Sequence, residues 1–186
     1  MMRVDSFHTA RMLAERPRSE DFPELCQLLQ DPQVAATLGG PRPEARVRKD
    51  LEASQEHWAR YGFGIWMFRD PADGRLIGRC GLRHVEVAGQ EEVELLYALR
   101  FESWGRGLAT EMAAAALEVG FERLGLEDVV AFTLTTNRAS RRVMEKVGMR
   151  YERDITHANL PHVLFRITAE EWHRGPVRER FPLFWR

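Results

Sequence analysis

Glu94-Leu95-Leu96-Tyr97-Ala98-Leu99, then Arg100-Phe101-Glu102-Ser103, then Trp104-Gly105-Arg106-Gly107-Leu108-Ala109-Thr110-Glu111 is the stretch whose reading decides the fold. Val93, Leu95, Tyr97 and Leu99 alternate with Glu94, Leu96 and Ala98, the two-residue period of a strand. After the glycines, Leu108, Met112, Ala115, Ala116 and Val119 recur on one face of a helix running from about Gly107 to Leu124. Glycines between a strand end and a helix start let the backbone turn its free N–H groups outward. Together with the helix dipole, those donors form an anion site suited to a diphosphate, and small Ala109 lets a ligand come close. The same two glycines would also serve a plain strand-to-helix turn.

Other phosphate loops fit less well. A P-loop ends in Gly-Lys-Ser/Thr, and no Lys follows Gly107. A dinucleotide fingerprint wants a third glycine where Thr110 stands and an acid at the end of the next strand, which here closes on Thr135-Thr136.

Outward from this centre, Arg11–Glu15 reads as a first strand, and Ser19 as the N-cap of a helix carrying Leu25, Leu28 and Leu29. Asp31-Pro32 and Gly39-Gly40-Pro41-Arg42-Pro43 punctuate the way to a second helix, Glu44 to Tyr61. Phe63–Phe68 and Leu76–Val87 form a hairpin around Pro71-Ala72-Asp73-Gly74. Beyond the central helix come a strand at Val129–Thr135, a helix from Asn137 to Gly148, and strands near Met149–Ile155 and His162–Ile167. The order β-α-α-β-β-β-α-β-α-β-β implies an α+β fold, a mixed sheet with helices on its faces. The 186 residues are expected to form one domain with a short tail after about residue 174.

A formal net charge of -1 argues against nucleic-acid or membrane-surface binding by bulk electrostatics. No run approaches the about 20 apolar residues of a membrane span, and the N-terminus lacks the apolar stretch of a signal peptide. Cys26 and Cys80 stand apart without a metal-binding pattern, so the expectations are a reducing cytoplasm and no metal.

In the second chemistry-bearing segment, Asn137-Arg138-Ala139-Ser140, Asn137 is a natural N-cap and Gly148 a natural helix stop. Ser140 is left over. These pieces, in order, resemble the GNAT acyltransferases, and specifically their RimJ/RimL-like protein N-acetyltransferase branch. The resemblance runs from Thr9-Ala10-Arg11-Met12-Leu13 through Gly74-Arg75-Leu76-Ile77-Gly78, the Trp104–Glu111 segment, Asn137-x-x-Ser140 and Glu145-Lys146-Val147-Gly148-Met149 to Glu170-Glu171-Trp172.

The resemblance implies a three-layer α+β fold with helices on both faces of a mostly antiparallel sheet, and acetyl-CoA as acyl donor. Its pantetheine would pair with the main chain of Tyr97, Ala98 and Leu99, its diphosphate with Trp104, Gly105, Arg106, Gly107, Leu108, Ala109 and Thr110, and Asn137 would bond the pantetheine arm. The family signature's first position is Trp104 here. Where many members carry a tyrosine acid this chain has Met144, which cannot donate a proton. Ser140 is the branch's substitute, and Glu94 its general base, with Glu91 and Glu92 as neighbours in competition. The partner would be an amine, either a protein N-terminus or a small molecule, and the protein a monomer or homodimer. A larger donor such as succinyl-CoA, or a non-catalytic acyl-CoA-binding module, are the alternatives. The acceptor is expected between residues 36–43 and the final hairpin loop, 157–162, with Trp66, His84 and His157 as candidate linings.

Overall fold

The computed structural model describes residues 4–184. Eight strands among them form one sheet: β1 (Ser6–His8), β2 (Leu13–Glu15), β3 (Ile65–Arg69), β4 (Leu76–Val87), β5 (Gln90–Leu99), β6 (Asp128–Leu134), β7 (Arg150–His157) and β8 (Leu160–Thr168). Their order is β1-β2-β3-β4-β5-β6-β8-β7, and every neighbouring pair is antiparallel except β5 with β6.

The alternation along β5 sends Leu95 and Leu99 to one face and Ala98 to the other. On the first face lies α4 (Leu108–Glu118), whose alanines let it settle closely on Cys80, Leu82, Leu95, Leu99, Val129 and Ala131. On the second lie α1 (Phe22–Gln30), α2 (Pro32–Ala36) and α3 (Glu44–Tyr61). Leu25, Leu28, Leu29, Val34, Val47 and Leu51 pack there on Met67, Leu76 and Ala98. Burying each large aliphatic side chain of these two layers favours the fold by about 1.5–3 kcal/mol. The α+β architecture expected from the element order is the one observed.

Several local expectations are corrected. β1 is an additional strand, only three residues long. Ser19 caps nothing: Ser19–Asp21 form a 3-10 turn whose cap residue is Arg18, with Asp21 Oδ2 accepting from the Arg18 N–H at 2.7 Å. Asp31-Pro32 is a helix start and no mere punctuation, because Asp31 Oδ1 accepts from the Gln33 and Val34 N–H groups. The central helix keeps α-geometry only to Glu118 and then widens into a π-turn over Val119–Arg123. There a Cβ on Gly120 would lie 2.8 Å from Leu82 Cδ1, so glycine lets the helix tail close on β4 without displacing that side chain. The final hairpin turns on Ala158 and Asn159 alone, both at positive φ (48° and 61°). After α6 (Ala169–Arg174) and α7 (Val177–Arg180), the tail returns to β1, with Phe184 and His8 exchanging main-chain hydrogen bonds at 2.9 Å.

No helix among the described residues is long and apolar enough to cross a membrane. No group of three or more His, Cys, Asp or Glu side chains among them is placed to hold a metal. Both cysteines are buried and free.

Candidate active site

β5 delivers the chain into the loop through a 3-10 turn at Phe101–Ser103. Gly105 and Gly107 then take φ of 72° and 75°, left-handed values that a Cβ would strain. Around Gly105 a Cβ would meet nothing within 4 Å, so the space beside the loop is open. The first hydrogen bond back along α4 runs from the Glu111 N–H to Gly107 O at 3.1 Å. The N–H groups of Leu108, Ala109 and Thr110 precede it and are left for a ligand. The side chains of Leu108 and Thr110 are buried, so those residues offer main chain only.

The loop is braced from two sides. Trp104 donates its indole N–H to Leu99 O at 3.0 Å, stacks edge-on against Phe101 and remains 37% exposed. Across from it, Glu111 is buried and accepts from Thr9 Oγ1 (2.6 Å), the Arg11 N–H (3.0 Å) and Arg11 Nε (2.7 Å). Arg11 Nη1 then donates to Arg106 O at 2.9 Å, so the β1–β2 turn clamps the loop to the helix start. Arg11 and Glu111 carry no sign of this role in the sequence, because an acid in the first turn of α4 and an arginine 100 residues away are paired only by the fold.

The parallel pair β5–β6 contains a single Cα partnership, Glu94 with Val130. Beyond it toward the loop the two strands part. The Arg100 N–H donates to Ile77 O on the β4 side, so by alternation the main-chain groups of Leu99 and Tyr97 point into the gap, while the Leu95 N–H belongs to the Glu94–Val130 pairing. Ala98 does not. Its main chain faces β4, where a Cβ on Gly78 would lie 2.4 Å from Ala98 O. Of the three residues expected to hold a pantetheine, Tyr97 and Leu99 are therefore placed to do so and Ala98 is not.

Asn137 caps α5 (Arg138–Lys146): its Oδ1 accepts from the Ser140 N–H at 3.1 Å and its Nδ2 lies 3.5 Å from Thr37 O. The Ser140 hydroxyl caps nothing and meets the Tyr97 hydroxyl at 2.9 Å, while Tyr97 Oη also lies 3.0 Å from Ser140 O. Burial pushes the Tyr97 phenol well above its usual range, so it stays protonated. Met144 is buried in the core.

Glu94 stands at the point where β5 and β6 part, 4% exposed, and accepts from Arg83 Nε at 2.8 Å. Its competitors are elsewhere. Glu92 is held by Arg166 at 2.7 and 3.0 Å, and Glu91 lies exposed on the surface. Of the expected linings, His157 is near: it feels the charges of Glu94 and Arg83 and stacks on Phe132 at 4.7 Å. Trp66 is in the core, donating to Val4 O at 2.9 Å. His84 is on the opposite face of β4 from Arg83 and stacks on Tyr61 at 4.4 Å. The two expected walls do meet, since a Cβ on Gly39 would lie 3.1 Å from Leu160 Cδ1.

The family model described as the acetyltransferase (GNAT) domain matches residues 11–150. The chain belongs to the GNAT acetyltransferase family. A Bacillus subtilis relative, the uncharacterized protein YkkB, is 30% identical over 74% of this chain and 80% of its own. The FsC-acetyl coenzyme A-N(2)-transacetylase of Aspergillus fumigatus is 29% identical over 96% of this chain and 85% of its own. Among solved structures, an acetyltransferase from Agrobacterium tumefaciens superposes with a TM-score of 0.79, at 24% identity, over 90% of this chain and 96% of that one. This GNAT protein is an acyl-CoA-dependent acetyltransferase, and its loop fits the donor. Left-handed glycines, free helix-end N–H groups and a parted strand pair are the features that a diphosphate with an extended amide arm requires.

Proposed function

We propose that this enzyme transfers the acetyl group of acetyl-CoA directly to a primary amine within a ternary complex, as a member of the RimJ/RimL-like branch. The parting of β5 and β6 at Glu94 carries the reading. An arm anchored at Gly105–Thr110 and laid along Leu99 and Tyr97 ends at that vertex. When bound there, acetyl-CoA supplies the activated acyl group.

The residues of this chain do the rest. An amine must be neutral to attack, yet α-amino groups titrate near about 8 and lysine near about 10.4. Glu94 accepts the proton, directly or through one water. The Ser140 hydroxyl donates to the departing sulfur, with Tyr97 behind it as a further proton source.

The test is release of free CoA thiol across a panel of amines, parent against Glu94→Gln. The variant keeps the shape and removes the basicity. Its kcat/KM should fall by about ten- to a thousandfold near neutral pH. The deficit should shrink at high pH, where the amine is already neutral. Activity equal to the parent at every pH removes Glu94 from the chemistry.

A further inference from the structure

Arg79 is a buried cation with no partner. It is 9% exposed, its Nε is buried without a hydrogen-bond acceptor, and its guanidinium makes no hydrogen bond or ion pair among those of the described residues. A charge taken from water is ordinarily paired, so an unpaired one is costly and calls for an explanation. Four charged groups act on it: Arg42, Arg83, Asp50 and Glu94. Asp50 is already held by Arg42 and by Arg46, at 2.8 Å to the latter, and Glu94 is held by Arg83. Burial first, and then Arg42 and Arg83, depress the Arg79 guanidinium to about 9, against the smaller pull of Asp50 and Glu94. The pocket holds more cation than its own acids neutralise.

Its place in the fold says what would supply the missing anion. Arg79 and Arg83 lie on one face of β4 with Gly81 between them, and their partners across β5 are Ala98, Leu96 and Glu94. A Cβ on Gly81 would lie 2.2 Å from Gly64 O, so the main chain entering β3 closes in beside Gly81, and on the β5 side half-buried Leu96 separates Ala98 from Glu94. α3, with Asp50, and the segment bearing Arg42 stand near Arg79, while His157 feels Glu94. The donor arm belongs to the gap between β5 and β6, and Arg79 is on β4, beyond β5 from that gap.

We propose that Arg79 binds a carboxylate on the acceptor, so that the enzyme acylates a carboxylate-bearing amine such as an amino acid or short peptide. This rests on the acetyl-transfer reading above. A carboxylate would give the guanidinium its charge-assisted hydrogen bonds while the amine lies by Glu94.

The experiment measures CoA release from acetyl-CoA with amino acids, β-alanine and short dipeptides, each against its C-terminal amide, with rates expressed per neutral amine. The free carboxylates should be favoured by about ten- to a hundredfold in kcat/KM, the range for a hydrogen bond to a charged group. In Arg79→Met that ratio should collapse toward one, while acetyl-CoA still raises the melting temperature. Amides used as well as acids by the parent overturn the proposal without any variant, as does a preference that survives Arg79→Met. So does an Arg79-dependent preference for succinyl-CoA over acetyl-CoA, which would put the carboxylate on the donor. Release with some amines but no carboxylate preference leaves acetyl transfer standing. Release with no amine removes both.

Discussion

Ser140 shows how a single hydroxyl is assigned by elimination. Its N–H is satisfied by Asn137, and its hydroxyl turns away from the helix end to Tyr97 on the neighbouring strand. If the pair donates to the departing sulfur, Ser140→Ala should lower kcat by about ten- to a thousandfold, and Tyr97→Phe by a smaller factor. Acetyl-CoA affinity should change little in either variant. Single-turnover thiol release by both, with chemistry limiting, checks this, and an unchanged rate in Ser140→Ala assigns the hydroxyl to packing. In the sequence the serine stands out because Asn137 and Gly148 already explain the helix ends and leave it over, and the acid role proposed for it comes from the family resemblance. Its tyrosine was not legible, since the contact joins residues 43 positions apart. Arg79 was equally silent, because a charge in a strand acquires meaning only from the neighbours that other strands and helices bring.

At the scale of elements, legibility followed length. The β5–loop–α4 unit carried its period and its glycines in the sequence. β1, with three residues, had no period to show. The segment from the end of α3 into β3 holds a pH-sensitive joint that no pattern announced. His57 Nδ1 meets Phe63 O at 2.9 Å, and its Nε2 accepts from the His84 N–H at 3.1 Å. Those two bonds require the neutral ring, with the proton on Nδ1. Burial, and the nearby His84, Arg83 and Arg60, lower its affinity for a proton, against the Phe63 carbonyl. The unfolded chain, with a histidine near about 6.5, therefore binds that proton more readily than the fold does. Stability is full above about 6.5 and declines as pH falls through that value toward the lower folded one. His157 is shifted the same way, whereas Glu24, Asp50 and Glu152 are shifted down from the carboxylate range and lose their contributions only at more acid pH. Melting temperatures from pH 7 to pH 5 should fall for the parent. His57→Gln should be less stable at pH 7, by about 1 kcal/mol for each hydrogen bond lost, but flatter across that interval. A parallel decline in both proteins takes His57 out of the account.

The whole molecule is a sheet with one weak seam. β1 to β5 on one side and β6, β8 and β7 on the other share a single Cα pair, and across it run α4, which packs on residues of both, the Glu92–Arg166 ion pair and the packing of Val87 on Val130 and Leu164. A donor in the gap would hydrogen-bond across the seam and stabilise the entire fold by mass action, by about 2.7 kcal/mol at a hundredfold excess over Kd. At about 2–4 °C per kcal/mol for a chain of this size, the melting temperature should rise by roughly 5–10 °C. Gly105→Asp is the discriminating variant. The position has open space around its Cβ, and Asp tolerates positive φ better than most residues, so the protein should fold at a cost of about 1 kcal/mol. The new carboxylate would stand where the loop N–H groups await a diphosphate, and repulsion should abolish the acetyl-CoA shift. Gly105→Asn, of the same shape without the charge, should keep most of it. If Gly105→Asp folds and acetyl-CoA still raises its melting temperature as much as the parent's, the diphosphate does not bind at this loop.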